Sequence, residues 1–236
     1  MIKQLWRWHP KVALRYLPIV NRIRNLHLED KPILEIGSGS LGITPYLAKR
    51  VTGLDIDFSG PSSDLLTYVY GSVLKIPFNN NAFDTVLMVD VLEHIPPKNR
   101  KKAIQEAVRV AKKFLVIAVP EGRLSESEDK ELSEYYKSVF LKEFPFYKEH
   151  LEFGLPKKEE IVNMVNLACK SYSKRATIRV EGNVNMKLHN FLMKGWMTNN
   201  IFIDLIFRKL MLLFIPIFTR LNQEPVYRKI FYITFR

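Results

Sequence analysis

Pro32-Ile33-Leu34-Glu35-Ile36 runs directly into Gly37-Ser38-Gly39-Ser40-Leu41-Gly42. A short apolar strand that ends in a glycine-rich turn and opens a helix, here over 43–49, is a nucleotide-binding pattern. Glycine lets the chain turn tightly and lets a ligand approach the amides. Glu35 stands two residues before the first glycine. A carboxylate there would repel a dinucleotide's pyrophosphate and suit a cationic ligand, unless it simply hydrogen-bonds the turn. Downstream, a second strand at 50–55 ends in Asp55, placed to reach the ribose hydroxyls of a nucleoside. A third at 67–71 precedes Ser72-Val73-Leu74-Lys75-Ile76-Pro77-Phe78, and a fourth at 83–90 runs into Val91-Leu92-Glu93-His94-Ile95. Residues 99–111 are helical by spacing, with Ala103, Ile104, Ala107, Val108 and Ala111 on one face. A fifth, wholly apolar strand at 114–119 is closed by Pro120 and Gly122. Short apolar strands alternating with helices imply a buried parallel sheet with ligands at the strands' C-terminal ends.

In order and spacing, five segments resemble the class I S-adenosylmethionine-dependent methyltransferases, of the type 11-like kind. They are Leu34-Glu35-Ile36-Gly37-Ser38-Gly39, Gly53-Leu54-Asp55-Ile56, Gly71-Ser72-Val73-Leu74, Phe83-Asp84-Thr85-Val86 and Val91-Leu92-Glu93-His94-Ile95. The resemblance implies an α/β, doubly wound, mostly parallel seven-stranded sheet with an antiparallel last strand. It implies S-adenosylmethionine as cofactor, held by Glu35, Gly37, Ser38, Gly39, Asp55, Ile56, Ser72, Val73, Leu74 and Asp90. Three departures stand out. Ser72 occupies a position where the family often has an aspartate for the adenine amine. The stretch between Asp55 and Thr67 is short, so the helix between strands two and three reduces to a turn. Leu41 replaces a frequent third glycine.

Methyl transfer needs acceptor and methyl group aligned, water excluded and, for many acceptors, a proton removed. His94, Asp90 and Glu93, beyond strand four, are candidates for that work, with helix capping or a structural role as the plainer account of His94. His150, read as lying in a loop after strand five and before a helix at 157–167, is a further candidate. His9, His27 and His189 sit in basic flanks and read as surface residues. No His, Cys or acid cluster has the local spacing of a metal site, so no metal is expected.

The 236 residues carry a formal charge of +12 and a pI of about 9.7. Divided along the chain, residues 1–31 carry a net +5, 32–156 a net −2 and 157–236 a net +9. The middle of the chain is therefore near neutral, and the basic excess lies in the two flanks. The domain itself is expected at 32–182 and 224–236. A single cysteine, Cys169, excludes an internal disulfide. No uninterrupted apolar run marks a signal peptide or a spanning helix.

Residues 1–31 read as a basic helical segment, and Leu5-Trp6-Arg7-Trp8 as a lid or membrane contact. Strands at 176–181 and 226–235 flank a greasy, basic helical insertion at 183–223. Its run 201–215 reads as one helix, apolar almost all round, with Asp204 and Arg208 paired at i, i+4. Such a helix must be covered by the core or a second copy in a homodimer, by an anionic membrane surface, or by nucleic acid, for which it is too greasy. The ending Pro225-Val226-Tyr227-Arg228-Lys229 also resembles methyltransferases of cell-surface glycan and lipid-linked sugar synthesis. The expectation is a cytoplasmic enzyme, peripheral at the inner membrane face, acting on a small-molecule, lipid or lipid-linked glycan acceptor. An RNA methyltransferase and a non-catalytic S-adenosylmethionine-binding protein are the alternatives.

Overall fold

The structure, a computed structural model, describes residues 7–236; Leu5 and Trp6 lie outside them. Helix α1 (Pro10–Asn25) leads into β1 (Ile33–Ile36), the single-turn α2 (Thr44–Leu47), β2 (Val51–Asp55), β3 (Leu66–Tyr70) and β4 (Phe83–Val89). After a 3-10 turn at Leu92–His94 come α3 (Pro97–Val110), β5 (Ala111–Pro120), α4 (Gly122–Phe140), α5 (Pro145–Phe153) and α6 (Lys158–Ser171). The chain closes with β6 (Ala176–Asn185), α7 (Met186–Trp196), α8 (Ile201–Arg208), a 3-10 stretch at Leu210–Phe214, α9 (Ile215–Phe218) and β7 (Val226–Phe235).

The seven strands form one sheet in the order β3-β2-β1-β4-β5-β7-β6. The first five are parallel, and β7 runs antiparallel between β5 and β6. Strand order reverses between β1 and β4, so the crevice at the C-terminal ends of these strands is the binding location that this topology creates. The class I methyltransferase fold expected from the sequence is the fold observed, including the antiparallel edge and the missing helix between β2 and β3.

Both sheet faces are covered. The predicted apolar face of α3 (Ala103, Ile104, Ala107, Val108) joins Ile161, Val165 and Ala168 of α6 on one side. Helix α1 covers the other with Ala13, Leu14, Ile19, Val20 and Ile23, joined by Leu192 of α7 and Ile215 of α9. A third, smaller cluster of Leu132, Tyr136, Tyr147, Met193 and Met197 ties α4 and α5 to α7.

Three expectations are corrected. The run at 201–215 is not one helix: it breaks after Arg208 into a 3-10 stretch, and Pro216 restarts a helix at its first turn, where no amide bond is lost. Strand β6 continues to Asn185 because it pairs with β7 along that length, so residues 183–185 belong to the sheet and not to the insertion. His150 lies on helix α5, not in a loop.

Candidate active site

The glycine-rich turn takes its shape from left-handed backbone at Gly37, Gly39 and Gly42, with φ of +69°, +53° and +51°. Their surroundings differ. A Cβ on Gly37 would meet a Val91 methyl at 2.4 Å, and one on Gly42 would meet Glu35 Oε2 at 2.1 Å, whereas one on Gly39 would meet nothing within 4 Å. Glu35 lies beneath the turn, 1% exposed. Its Oε1 accepts from the Tyr16 hydroxyl at 2.7 Å and its Oε2 from the Ile43 amide at 2.7 Å. Burial pushes its pKa up to about 7 while those two bonds pull it down. Glu35 thus shapes the turn and anchors α1 to it, which is the turn-bonding alternative weighed from the sequence.

Asp55 closes β2. Its Oδ2 accepts from the Gly39 amide at 2.6 Å, and its Oδ1 from the amides of Ile56 and Asp57 at 2.7 and 3.1 Å. A carboxylate has about four acceptor positions, so Asp55 keeps capacity for a ligand hydroxyl. Ile56 beside it is 80% exposed, an apolar side chain held in the open at a strand's C-terminal end. Ser72 is exposed, and its hydroxyl accepts from the Leu74 amide at 3.2 Å; Val73 and Leu74 are half-buried. Ser38 is buried, with its hydroxyl donating to the Gly39 carbonyl at 2.9 Å. The linker replacing the β2–β3 helix is pinned to the turn through Ser40: its Oγ accepts from the Gly60 amide at 2.8 Å and its carbonyl from the Tyr68 hydroxyl at 3.1 Å. Gly39, Asp55, Ile56 and Ser72 therefore stand close together at the C-terminal ends of β1, β2 and β3.

Asp90 sits just past the end of β4, the strand beside β1, in left-handed backbone, φ +52°. Arg228 of β7 grips both its oxygens at 2.7 and 2.6 Å, and Arg15 of α1 reaches Oδ2 at 2.9 Å. Burial pushes the carboxyl up, but the two guanidinium groups win and hold it at about 2. A carboxylate so held is a poor proton acceptor at neutral pH, which argues against Asp90 as a general base.

Glu93, His94 and His150 lie next to it. Glu93 is fully buried with neither oxygen hydrogen-bonded, and burial with the neighbouring Asp90 charge pushes it well above the usual carboxylate range. His94 Nδ1 bonds Glu149 Oε2 at 2.6 Å, and its ring centroid is 4.8 Å from that of His150. Burial, then the His150 charge, push His94 below its ordinary value. His150 Nδ1 bonds Asp129 Oδ2 at 2.7 Å, and Asp129 Oδ1 accepts from the Tyr227 hydroxyl at 2.6 Å. Arg100 staples the two segments together: its guanidinium donates to the carbonyls of Leu92 and Ile95 at 3.0 Å, and to Phe153 and Gly154 at the end of α5.

The fold thus brings all four proposed catalytic residues into one neighbourhood. It also recruits Arg15, Arg228, Asp129 and Tyr227, which sequence reasoning missed. His189 is another correction: it is 8% exposed, stacked on Tyr227 at 3.6 Å between ring centroids and bonded to Glu128 at 3.1 Å. His9 is half-buried, while His27 is exposed as expected.

Residues 34–117 match the model of a protein family described as a methyltransferase domain. An uncharacterized protein from Methanocaldococcus jannaschii is 32% identical over 80 residues, 32% of this chain and 34% of the relative. The match therefore spans about a third of that relative's length. Among solved structures, magnesium protoporphyrin IX methyltransferase from Synechocystis, with bound S-adenosylhomocysteine, superposes with a TM-score of 0.55. It shares 13% identity, over 92% of this chain and 80% of that one. A SAM-dependent methyltransferase from Archaeoglobus fulgidus gives a TM-score of 0.52 at 13% identity, over 99% and 97% of the two chains.

Proposed function

We propose that the chain, which matches a methyltransferase domain over residues 34–117 and has the class I methyltransferase fold, transfers a methyl group from S-adenosylmethionine to a hydrophobic small molecule, lipid or lipid-linked glycan. The observation that carries the cofactor assignment is the cradle at Gly39, open where a Cβ would project and bordered by Asp55. Gly37, Ser38 and Gly39 would hold the amino-acid end of the cofactor, Asp55 the ribose, and Ile56 with Ser72, Val73 and Leu74 the adenine. When bound, the cofactor supplies an electrophilic methyl group. The chain's own work is to keep the turn in shape through Glu35, close the crevice opposite with Asp90, Arg15 and Arg228, and present His94 to the acceptor.

Ser72 offers a neutral acceptor already shared with the Leu74 amide. A carboxylate there makes a charge-assisted bond of roughly twice the strength. Ser72→Asp is expected to tighten S-adenosylmethionine binding by about three- to fivefold, read by calorimetric titration; unchanged or weaker binding counts against the adenine placement.

The surface of the insertion supports this acceptor class. No residue of α8 is buried, and Ile201, Phe202 and Leu213 are 75%, 76% and 74% exposed. Ile203, Leu205, Leu210, Phe214 and Ile217 extend the apolar surface, while Ile215 and the half-buried Phe207, Met211, Leu212 and Phe218 face the core. An apolar apron this size is rare on a free surface. It lies in the part of the chain carrying a net +9, which suits an anionic bilayer surface better than a second copy of the same cationic chain. Among the described residues, no helix is long and apolar enough to cross a membrane.

Two measurements test this. With radiolabelled S-adenosylmethionine and a cell extract separated into lipid, small-molecule, RNA and protein fractions, label should enter the lipid or small-molecule fraction; label in RNA would sink the acceptor assignment. The chain should sediment with anionic phosphatidylglycerol vesicles, and the double variant Phe202→Asp, Leu213→Asp should lose at least tenfold of that binding. Equal sedimentation would remove the membrane from the account.

A further inference from the structure

Glu93, His94 and His150 meet where the turn after β4 packs against α5. One ligand atom from each lies within 4.8 Å of the other two. Glu93 is fully buried, yet neither of its oxygens has a partner. A buried charge left in that state is costly, and such groups ordinarily pair or coordinate a metal. His150 is 6% exposed, and its Nε2 is likewise without a partner.

The outer ring nitrogens of the two histidines, by contrast, are both engaged. His94 Nδ1 is bonded to Glu149 and His150 Nδ1 to Asp129, at 2.6 and 2.7 Å. A carboxylate at Nδ1 takes up that N–H and leaves the Nε2 lone pair bare. That is how metal-binding imidazoles are oriented and made more basic. Asp129 is fixed in turn by Tyr227, and Arg100 holds the Leu92–Ile95 turn against the end of α5. Both imidazoles are thus held from outside, while Glu93 and His150 Nε2 are left unsatisfied within.

We propose that Glu93, His94 and His150 form a binding site for a divalent first-row transition cation such as Zn²⁺, Mn²⁺, Fe²⁺ or Co²⁺. Two imidazoles and one carboxylate suit these ions, whereas Mg²⁺ and Ca²⁺ prefer oxygen donors throughout. Asp90 does not add a fourth ligand, because both its oxygens belong to Arg228 and Arg15. Three protein ligands leave coordination positions for an oxygen of a bound molecule. His94, the least buried of the three, marks the side from which that oxygen arrives. The site adjoins the crevice, since Val91, two residues before Glu93, packs on Gly37. Serving the acceptor in this way rests on the methyltransferase assignment; cation binding does not.

The test uses tag-free full-length chain, stripped with a chelator and dialysed against Co²⁺ alone, with no cofactor or acceptor. The expected result is one cobalt per chain, a visible ligand-field spectrum and displacement by Zn²⁺ but not by Mg²⁺. Glu93→Gln and His150→Ala should weaken binding by roughly a hundredfold or more, and Glu149→Gln, which removes only the outer partner, by about tenfold. Melting curves establish that each variant is folded. His94 is partly exposed, so His94→Ala keeps the test valid if the buried variants do not fold. No cobalt retained, or equal retention by folded His94→Ala and Glu149→Gln, would overturn the site whether or not the chain transfers methyl groups.

Discussion

Replacing Asp90 with alanine is expected to destabilise the chain by about 3–5 kcal/mol, the range for a buried ion pair broken from one side. The loss is large because two cations depend on one carboxylate. Arg228 is 5% exposed and, among the described residues, would keep only Asn183 Oδ1, at 3.3 Å, as a side-chain hydrogen-bond acceptor; Arg15 would lose its one ion-pair partner among the described residues. For a chain of this size each kcal/mol moves the midpoint by about 2–4 °C, so thermal unfolding should shift by roughly 6–20 °C. A change under about 1 kcal/mol would mean the pairs are incidental. The acid limb gives a second check. In the folded chain the carboxyl is held at about 2, below its ordinary 3.8. The stabilisation is therefore full above the unfolded value and is lost as pH falls from about 4 through 2. That limb is of the order of 2–3 kcal/mol, and it should vanish in Asp90→Ala. Because Arg228 of β7 and Arg15 of α1 meet at this one carboxylate, the same variant should also loosen the packing of β7 and α1 against the end of β4.

The clamp illustrates what the sequence could and could not reveal. Strand β1, its glycine turn, the β2 acid and the apolar face of α3 were legible because each is a local pattern: apolar runs, glycines and a 3.6-residue period are written within ten residues. The pairing of Asp90 with Arg228 spans 138 positions and leaves no local trace, since an arginine in a basic flank looks like any other. His189 misled for the same reason. Its sequence neighbours suggest solvent, yet α7 lays it on Tyr227. For helix α5 the sequence reading is a loop, although Pro145 at its first turn and Gly154 just past its end are signals of helix start and stop. Glu35 was ambiguous because a carboxylate under a turn serves the turn's amides and a cationic ligand equally well until Tyr16 is seen to occupy its second oxygen.

Gly39→Ala is expected to lower S-adenosylmethionine affinity by roughly a hundredfold, about 2.7 kcal/mol, while leaving the chain folded. Each of the three turn glycines has positive φ, so any side chain there carries a strain of about 1 kcal/mol. What differs is where the added methyl goes. At Gly42 it would enter the space of Glu35 Oε2, and at Gly37 that of Val91, so those variants disturb protein against protein and should lose stability first. At Gly39 it would enter space that no protein atom occupies, directly beside the amide that bonds Asp55. If that space belongs to the cofactor, Gly39→Ala separates binding from folding: a melting shift of only a few degrees, and a titration that no longer saturates at concentrations that saturate the parent. If affinity survives, the amino-acid end of the cofactor lies elsewhere, and the left-handed bend at Gly39 serves only to aim its amide at Asp55. Gly42→Ala supplies the contrast, since its expected damage is to the melting curve, through Glu35, whether or not ligand is present.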